Sequence, residues 1–191
     1  MNSVGSLDCF KVCTKTGIQR LTSYHERIST ISTNIMSSTH LLSVRCLRLS
    51  PKQGFLTSVQ VAVSPLAILF PEGQFTLIDG TGKKIHVATE VANSIGLKNV
   101  NAVHRRGEEE RGRYDFVVSR AVMPMLDLVK IIRKNIDKKN FNVLANGLIC
   151  LKGGNLYAEL EPFKKTVEQT EITEWFKEAW FKEKYVIYVP L

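Results

Sequence analysis

Gln74-Phe75-Thr76-Leu77-Ile78-Asp79-Gly80 decides the fold. Phe75, Leu77 and Ile78 stand between the Glu72-Gly73 turn and Gly80, the pattern of a short strand buried on both faces, with Asp79 at its carboxyl end. In open α/β sheets ligands bind beyond the carboxyl ends of the strands, and a carboxylate there can accept hydrogen bonds from both ribose hydroxyls of a nucleotide-like ligand. The same residue also suits a cap for the following helix. Position alone leaves both readings open.

Downstream, Ile85, Ala88, Val91, Ala92 and Ile95 recur at steps of three and four, which predicts a helix over 81–95. Gly96 ends it as a left-handed C-terminal residue. Lys83, Lys84 and His86 lie on its exposed first turns, where positive charge opposes the helix dipole. A phosphate partner explains that placement, and so does a solvated basic face. Asn99 to Val103 and Tyr114 to Ser119 read as further strands, the second with the Phe116-Val117-Val118 run of a central parallel strand. Arg106-Gly107-Glu108 follows the first, where a carboxylate and backbone amides can grip a purine edge. Arg120 lies just past the second.

The outer parts extend this pattern. Pro65 to Phe70 is a short apolar helix, Met125 to Asn135 an amphipathic one, and 141–146 a loop. Gly147 to Lys152 is a strand closed by Gly153-Gly154, followed by a helix over 156–165 and a strand over 166–171. Trp175, Phe176, Trp180 and Phe181 form an aromatic cluster suited to a core, and Tyr185 to Val189 is a final strand. Strands alternating with helices predict a doubly wound α/β sheet, and the late helix and terminal strand pair suit a methyltransferase-type sheet.

The composition separates two regions. Residues 1–64 hold 7 Lys and Arg against 2 Asp and Glu, whereas 65–191 hold 19 against 16, so most of the net charge of +8 precedes the part that reads as folded. Ser and Thr number 18 in the first region and 8 in the second. The basic balance therefore gives little support to a nucleic-acid partner by itself. No apolar run approaches the roughly 20 residues needed to span a membrane. Four cysteines without paired spacing suggest neither zinc nor a disulfide framework, and a reducing compartment follows.

Residues 1–64 show no apolar face that persists for three turns. Their Ser, Thr and Arg content with few acids fits a transit peptide, but their Ile, His and Asn content does not. A disordered tail is a further reading, although Leu41 to Leu49 is apolar for one. The chain is expected to divide into a poorly ordered 1–64 segment and an α/β domain over 65–191.

Phe75-Thr76-Leu77-Ile78-Asp79, Gly82-Lys83-Lys84, Gly96-Leu97-Lys98-Asn99-Val100, Ser119-Arg120-Ala121 and Leu151-Lys152-Gly153-Gly154 together resemble the RsmG (GidB) family, over about residues 65–191. The closing Tyr185 to Leu191 resembles the version found in Bacteroidetes-type bacteria. The resemblance implies a Rossmann-like S-adenosylmethionine-dependent methyltransferase that modifies N7 of a guanine in 16S ribosomal RNA. It implies a cytoplasmic, monomeric protein acting on that RNA or on the small ribosomal subunit, with no membrane and no metal. Cofactor-binding roles carry over to Asp79, Gly107, Glu108 and Arg120, with Gly107 where the family usually has alanine. Lys83 and Lys84 are the RNA-binding candidates, and no residue is singled out as catalytic. Guanine N7 carries a free lone pair, so alignment with the sulfonium methyl supplies most of the effect.

One departure stands out. Where the family has a loop of the type Gly-Thr-Gly-Gly-Gly-Phe-Pro-Gly, this chain reads Ser58-Val59-Gln60-Val61-Ala62-Val63-Ser64. Glycines let backbone approach a cofactor, and β-branched side chains obstruct it. The first strand and the glycine loop are therefore expected to be lost. As a hypothesis, Val59 to Pro65 can be encoded so that a two-nucleotide offset reads Thr-Gly-Gly-Gly-Phe-Pro. Ser32 to His40 can be encoded so that the same offset reads Tyr-Glu-His-His-Val-Leu-His-Ser, which resembles the family's N-terminal motif. Two motifs at one offset point to out-of-frame translation before about Pro65. Resequenced codons incompatible with both would end that account.

Two readings of other classes remain beside it. One is a non-catalytic RNA-binding or ribosome-assembly factor with a degenerate methyltransferase fold, marked by RNA binding without cofactor binding. The other is a nucleotide-dependent oxidoreductase, because an acidic strand end also suits a dinucleotide.

Overall fold

A computed structural model of the chain describes residues 53–58, 65–120, 123–142, 144–174 and 179–191. Seven strands form one sheet in the order β3-β2-β1-β4-β5-β7-β6. They are β1 (Gly54–Ser58), β2 (Gln74–Asp79), β3 (Val100–His104), β4 (Phe116–Arg120), β5 (Gly147–Gly153), β6 (Glu168–Glu171) and β7 (Lys184–Pro190). The first five are parallel, and β7 runs antiparallel to both β5 and β6. Helices α1 (Pro65–Leu69), α2 (Gly82–Ser94), α3 (Met125–Ile132) and α4 (Tyr157–Leu160) fall between strands. The doubly wound α/β expectation holds.

The expected loss of the first strand does not. Gly54–Ser58 lies inside the sheet, paired along five residues with β2 and along three with β4. Its side chains explain the placement. Phe55 stacks on Phe75 with ring centroids 4.6 Å apart and lies 5.8 Å from Phe116, so one aromatic from each of three adjacent strands fills one face. Leu56 enters the core on the other face. Burying two such side chains stabilises the fold by about 1.5–3 kcal/mol each. Thus the folded sheet begins before Pro65. The glycine-loop position, 59–64, lies outside the described residues, as do residues 1–52 with the transit-peptide, disorder and reading-frame expectations for them.

The helices follow the expected periodicity with shorter ends. In α2 the buried residues are Ile85, Ala88 and Ala92, and Gly96 takes φ +73°, the left-handed conformation that lets the Leu97 amide return to the Ala92 carbonyl. The helix expected over 156–165 shortens to α4 and a 3-10 turn over Glu161–Phe163, with Pro162 at the break. Asn99, expected in a strand, instead sits buried before β3, and its Nδ2 donates to the carbonyls of Ala67, Phe70 and Gly73. It fixes the entry into β2. Of the aromatic cluster, Phe181 is buried in the core, whereas Trp175 and Phe176 lie outside the described residues.

Candidate functional site

The carboxyl ends of β1, β2 and β4 open into one cavity of about 240 Å³. Its polar lining comes from Thr57, Asp79, Lys84, Arg105, Glu108 and Ser119. Ile78, Val117 and Met123 are among its apolar walls, with Leu128, Ile131 and Ile132 of α3 behind them. Three of the four residues expected to hold a cofactor, Asp79, Gly107 and Glu108, therefore meet in one place. The fourth, Arg120, ends β4 as an exposed residue and is not among the lining residues. Lys83 is exposed on α2 outside the cavity, while Lys84 reaches it.

Asp79 holds the turn that leads into α2; the helix N-cap itself is Thr81, which has no side-chain capping bond. Its Oδ1 accepts the Thr81 amide at 2.8 Å, and its Oδ2 accepts Lys84 Nζ at 3.2 Å. Burial pushes its pKa up, but those hydrogen bonds and the ammonium charge outweigh it and hold the carboxyl below the usual 3.8. A carboxylate offers about four lone-pair sites, so two engaged sites leave room for a ligand. Holding the turn and binding a ligand are compatible at this residue.

The loop after β3 is braced by Glu110, which the sequence reading did not single out. The carboxylate accepts Arg105 Nη1 at 2.9 Å and the amides of Arg111 and Gly112 at 2.9 and 2.6 Å. A Cβ on Gly112 would stand 2.9 Å from Glu110 Oε1 and 2.6 Å from the Tyr114 hydroxyl, so any larger residue would push these side chains out of the brace. Burial acts to raise the Glu110 pKa, and the donated hydrogen bonds lower it below its ordinary value. Asn135 completes the brace by donating to the carbonyls of Glu110 and Gly112. Lys134 Nζ donates to the Glu108 carbonyl. Gly107 and Glu108 thus sit on a loop fixed from below.

The other side is fixed by Lys152 and Glu159. Lys152 Nζ donates to the Met123 carbonyl at 2.8 Å and pairs with Glu159 Oε1. The same carboxylate accepts the Met125 amide at 2.5 Å, at the start of α3. Glu159 lies on α4 and its partners come from β5 and the start of α3, so the wall carrying Met123 is tied to the sheet. Among the described residues no group of three or more His, Cys, Asp and Glu could hold a metal ion, and no helix is long and apolar enough to cross a membrane.

The sequence that builds this sheet matches a known family. The model of the family described as GidB, rRNA small subunit methyltransferase G, matches residues 63–183. The chain belongs to that family. A ribosomal RNA small subunit methyltransferase G from Bacteroides fragilis is 59% identical over 127 residues, covering 66% of this chain and 62% of that protein. One from Parabacteroides distasonis is 58% identical over 127 residues, covering 66% and 55%. The chain spans about three-fifths of the length of these curated relatives. Among solved structures, a precorrin-6y C5,15-methyltransferase from Geobacter metallireducens superposes with TM-score 0.61 at 11% identity, covering 84% of this chain and 92% of that one. A SAM dependent methyltransferase from Aquifex aeolicus gives 0.56 at 16%, covering 79% and 88%. The fold is the Rossmann-like α/β sheet of the methyltransferases.

Proposed function

We propose that the chain carries the cofactor-binding sheet of an S-adenosylmethionine-dependent methyltransferase whose acceptor is N7 of a guanine in 16S rRNA, acting in the cytoplasm as a monomer on that RNA or on the small ribosomal subunit. The observation that carries this reading is the joining of Asp79, Gly107 and Glu108 in one cavity within the residues matched by the family. The residues present fit a nucleoside: Asp79 has acceptor sites to spare for ribose hydroxyls, and Glu108 stands on a braced loop beside apolar walls suited to a purine. Arg120, exposed at the end of β4, enters this reading through the family motif alone. S-adenosylmethionine supplies an electrophilic methyl group when bound. The protein's own part is to orient that group, exclude water with the α3 wall, and present the exposed Lys83 of α2 to phosphates.

Ser58 to Ser64, with valines where the family has glycines, favour a second reading. In it the sheet is retained by an RNA-binding or assembly factor that no longer binds cofactor. Calorimetric titration with S-adenosylmethionine decides between them, using the full chain beside a version with the inferred frame restored. Binding by both supports the enzyme reading with the present loop. Binding by the restored version alone supports a disrupted reading frame, and retained binding of 16S rRNA fragments by the original chain then supports the second reading.

A further inference from the structure

Among the described residues that line the cavity, one has a buried side-chain polar atom without a hydrogen-bond partner. Ser119 is 6% exposed, lines the cavity, and has no hydrogen-bond partner for its Oγ among the described residues. Side-chain atoms of Gln53, Asn135 and Asn146 share that condition, but none of those residues lines the cavity. A buried hydroxyl without a partner is unfavourable. Its cost is recovered if a ligand supplies the missing hydrogen bond.

The sheet order indicates which part of a ligand that is. Asp79 ends β2, Ser119 is the penultimate residue of β4, and β1 lies between the two strands. Neighbouring strands are about 4.8 Å apart, which sets the two residues roughly 10 Å apart across the sheet. That distance matches a nucleoside whose ribose is at Asp79 and whose 5′ substituent extends over β1 to β4. We propose that Ser119 is a ligand-contact residue whose hydroxyl hydrogen-bonds the amino-acid end of the 5′ substituent, so that Asp79 and Ser119 hold opposite halves of one molecule. The inference rests on the cofactor reading above.

The test compares two probes on the full chain and on Ser119→Ala. S-adenosylhomocysteine carries the amino-acid end, and 5′-methylthioadenosine lacks it. Expected are a five- to tenfold weaker affinity of the variant for S-adenosylhomocysteine and a change under about twofold for 5′-methylthioadenosine. The denaturation midpoint of the ligand-free variant should equal or exceed that of the original chain, because alanine removes an unserved hydroxyl. A lower midpoint shows that the hydroxyl has a partner within the protein and overturns the proposal. Equal weakening of both probes, or of neither, overturns the role of Ser119 and leaves the cofactor reading standing. If the original chain binds neither probe, the cofactor reading fails and this inference fails with it.

Discussion

Two carboxylates brace opposite sides of the cavity, and they do so by different means. Glu110 acts within its own loop, on partners no more than five residues away. Glu159 acts across the chain, on Met125 34 residues away and on Lys152, which in turn holds Met123. One carboxylate shapes a loop. The other joins a strand, a helix and the entry to another helix, so its removal should be felt much further away.

The largest expected effect follows from that. Glu159→Ala leaves the Lys152 ammonium, with a side chain only 8% exposed, without its counter-ion. Breaking such a pair costs about 3 kcal/mol, measurable as the shift in a urea unfolding curve, and amides from Met123 into α3 should lose hydrogen-exchange protection together. A shift under about 1 kcal/mol would erase the difference between the braces. Glu110→Ala comes next, at about 2 kcal/mol from the loss of charge-assisted hydrogen bonds. Here the loss of protection should stay within 105–112. Spread into β4 and β5 would show that this brace is also long-range.

The same distinction explains what could be read from the sequence. Asp79, Gly107 and Glu108 were legible because each stands at a strand end bounded by turn residues, and the family motifs carry them. Glu110 was hidden as the last of three consecutive glutamates, since only the folded loop selects the one that turns inward. Lys152 and Glu159 are close in sequence, but the groups they hold, Met123 and Met125, are not. Ser119 stands in a family motif, but there it read as the neighbour of Arg120, because only the folded strand shows that its hydroxyl is buried without a partner. β1 was missed because its five residues lie in a Ser- and Thr-rich region without a family motif. Its position is set by Phe75 and Phe116, which are distant in the chain.

Acid offers a third test. Asp79 and Glu110 both have pKa values lowered by folding, so each contributes stability that is fully present above its unfolded value, 3.8 or 4.5, and is lost as pH falls through the lower folded value. The chain should lose stability steadily below about pH 4.5. Glu110→Gln should lose less over the same window, because it has already given up one of the two contributions. Urea midpoints measured from pH 6 to pH 3 compare the two proteins. Parallel pH profiles would mean that the Glu110 carboxylate is not held in its charged form by the loop.

The smallest effect separates the parts of the Glu110 brace itself. Two of its donors are backbone amides, the Tyr114 hydroxyl is another, and its cation is Arg105, whose side chain is 42% exposed. Water screens an ion pair at that exposure, and such pairs contribute under about 1 kcal/mol. Arg105→Gln should therefore cost less than half of what Glu110→Ala costs, with the 105–112 amides still protected. The amides then act as the main hold on the carboxylate, unlike the Glu159 brace, where the buried cation is essential. If Arg105→Gln instead costs as much as Glu110→Ala, the amide bonds contribute little. Glu110 would then depend on its cation just as Glu159 does, and the two sides of the cavity would be built on one principle.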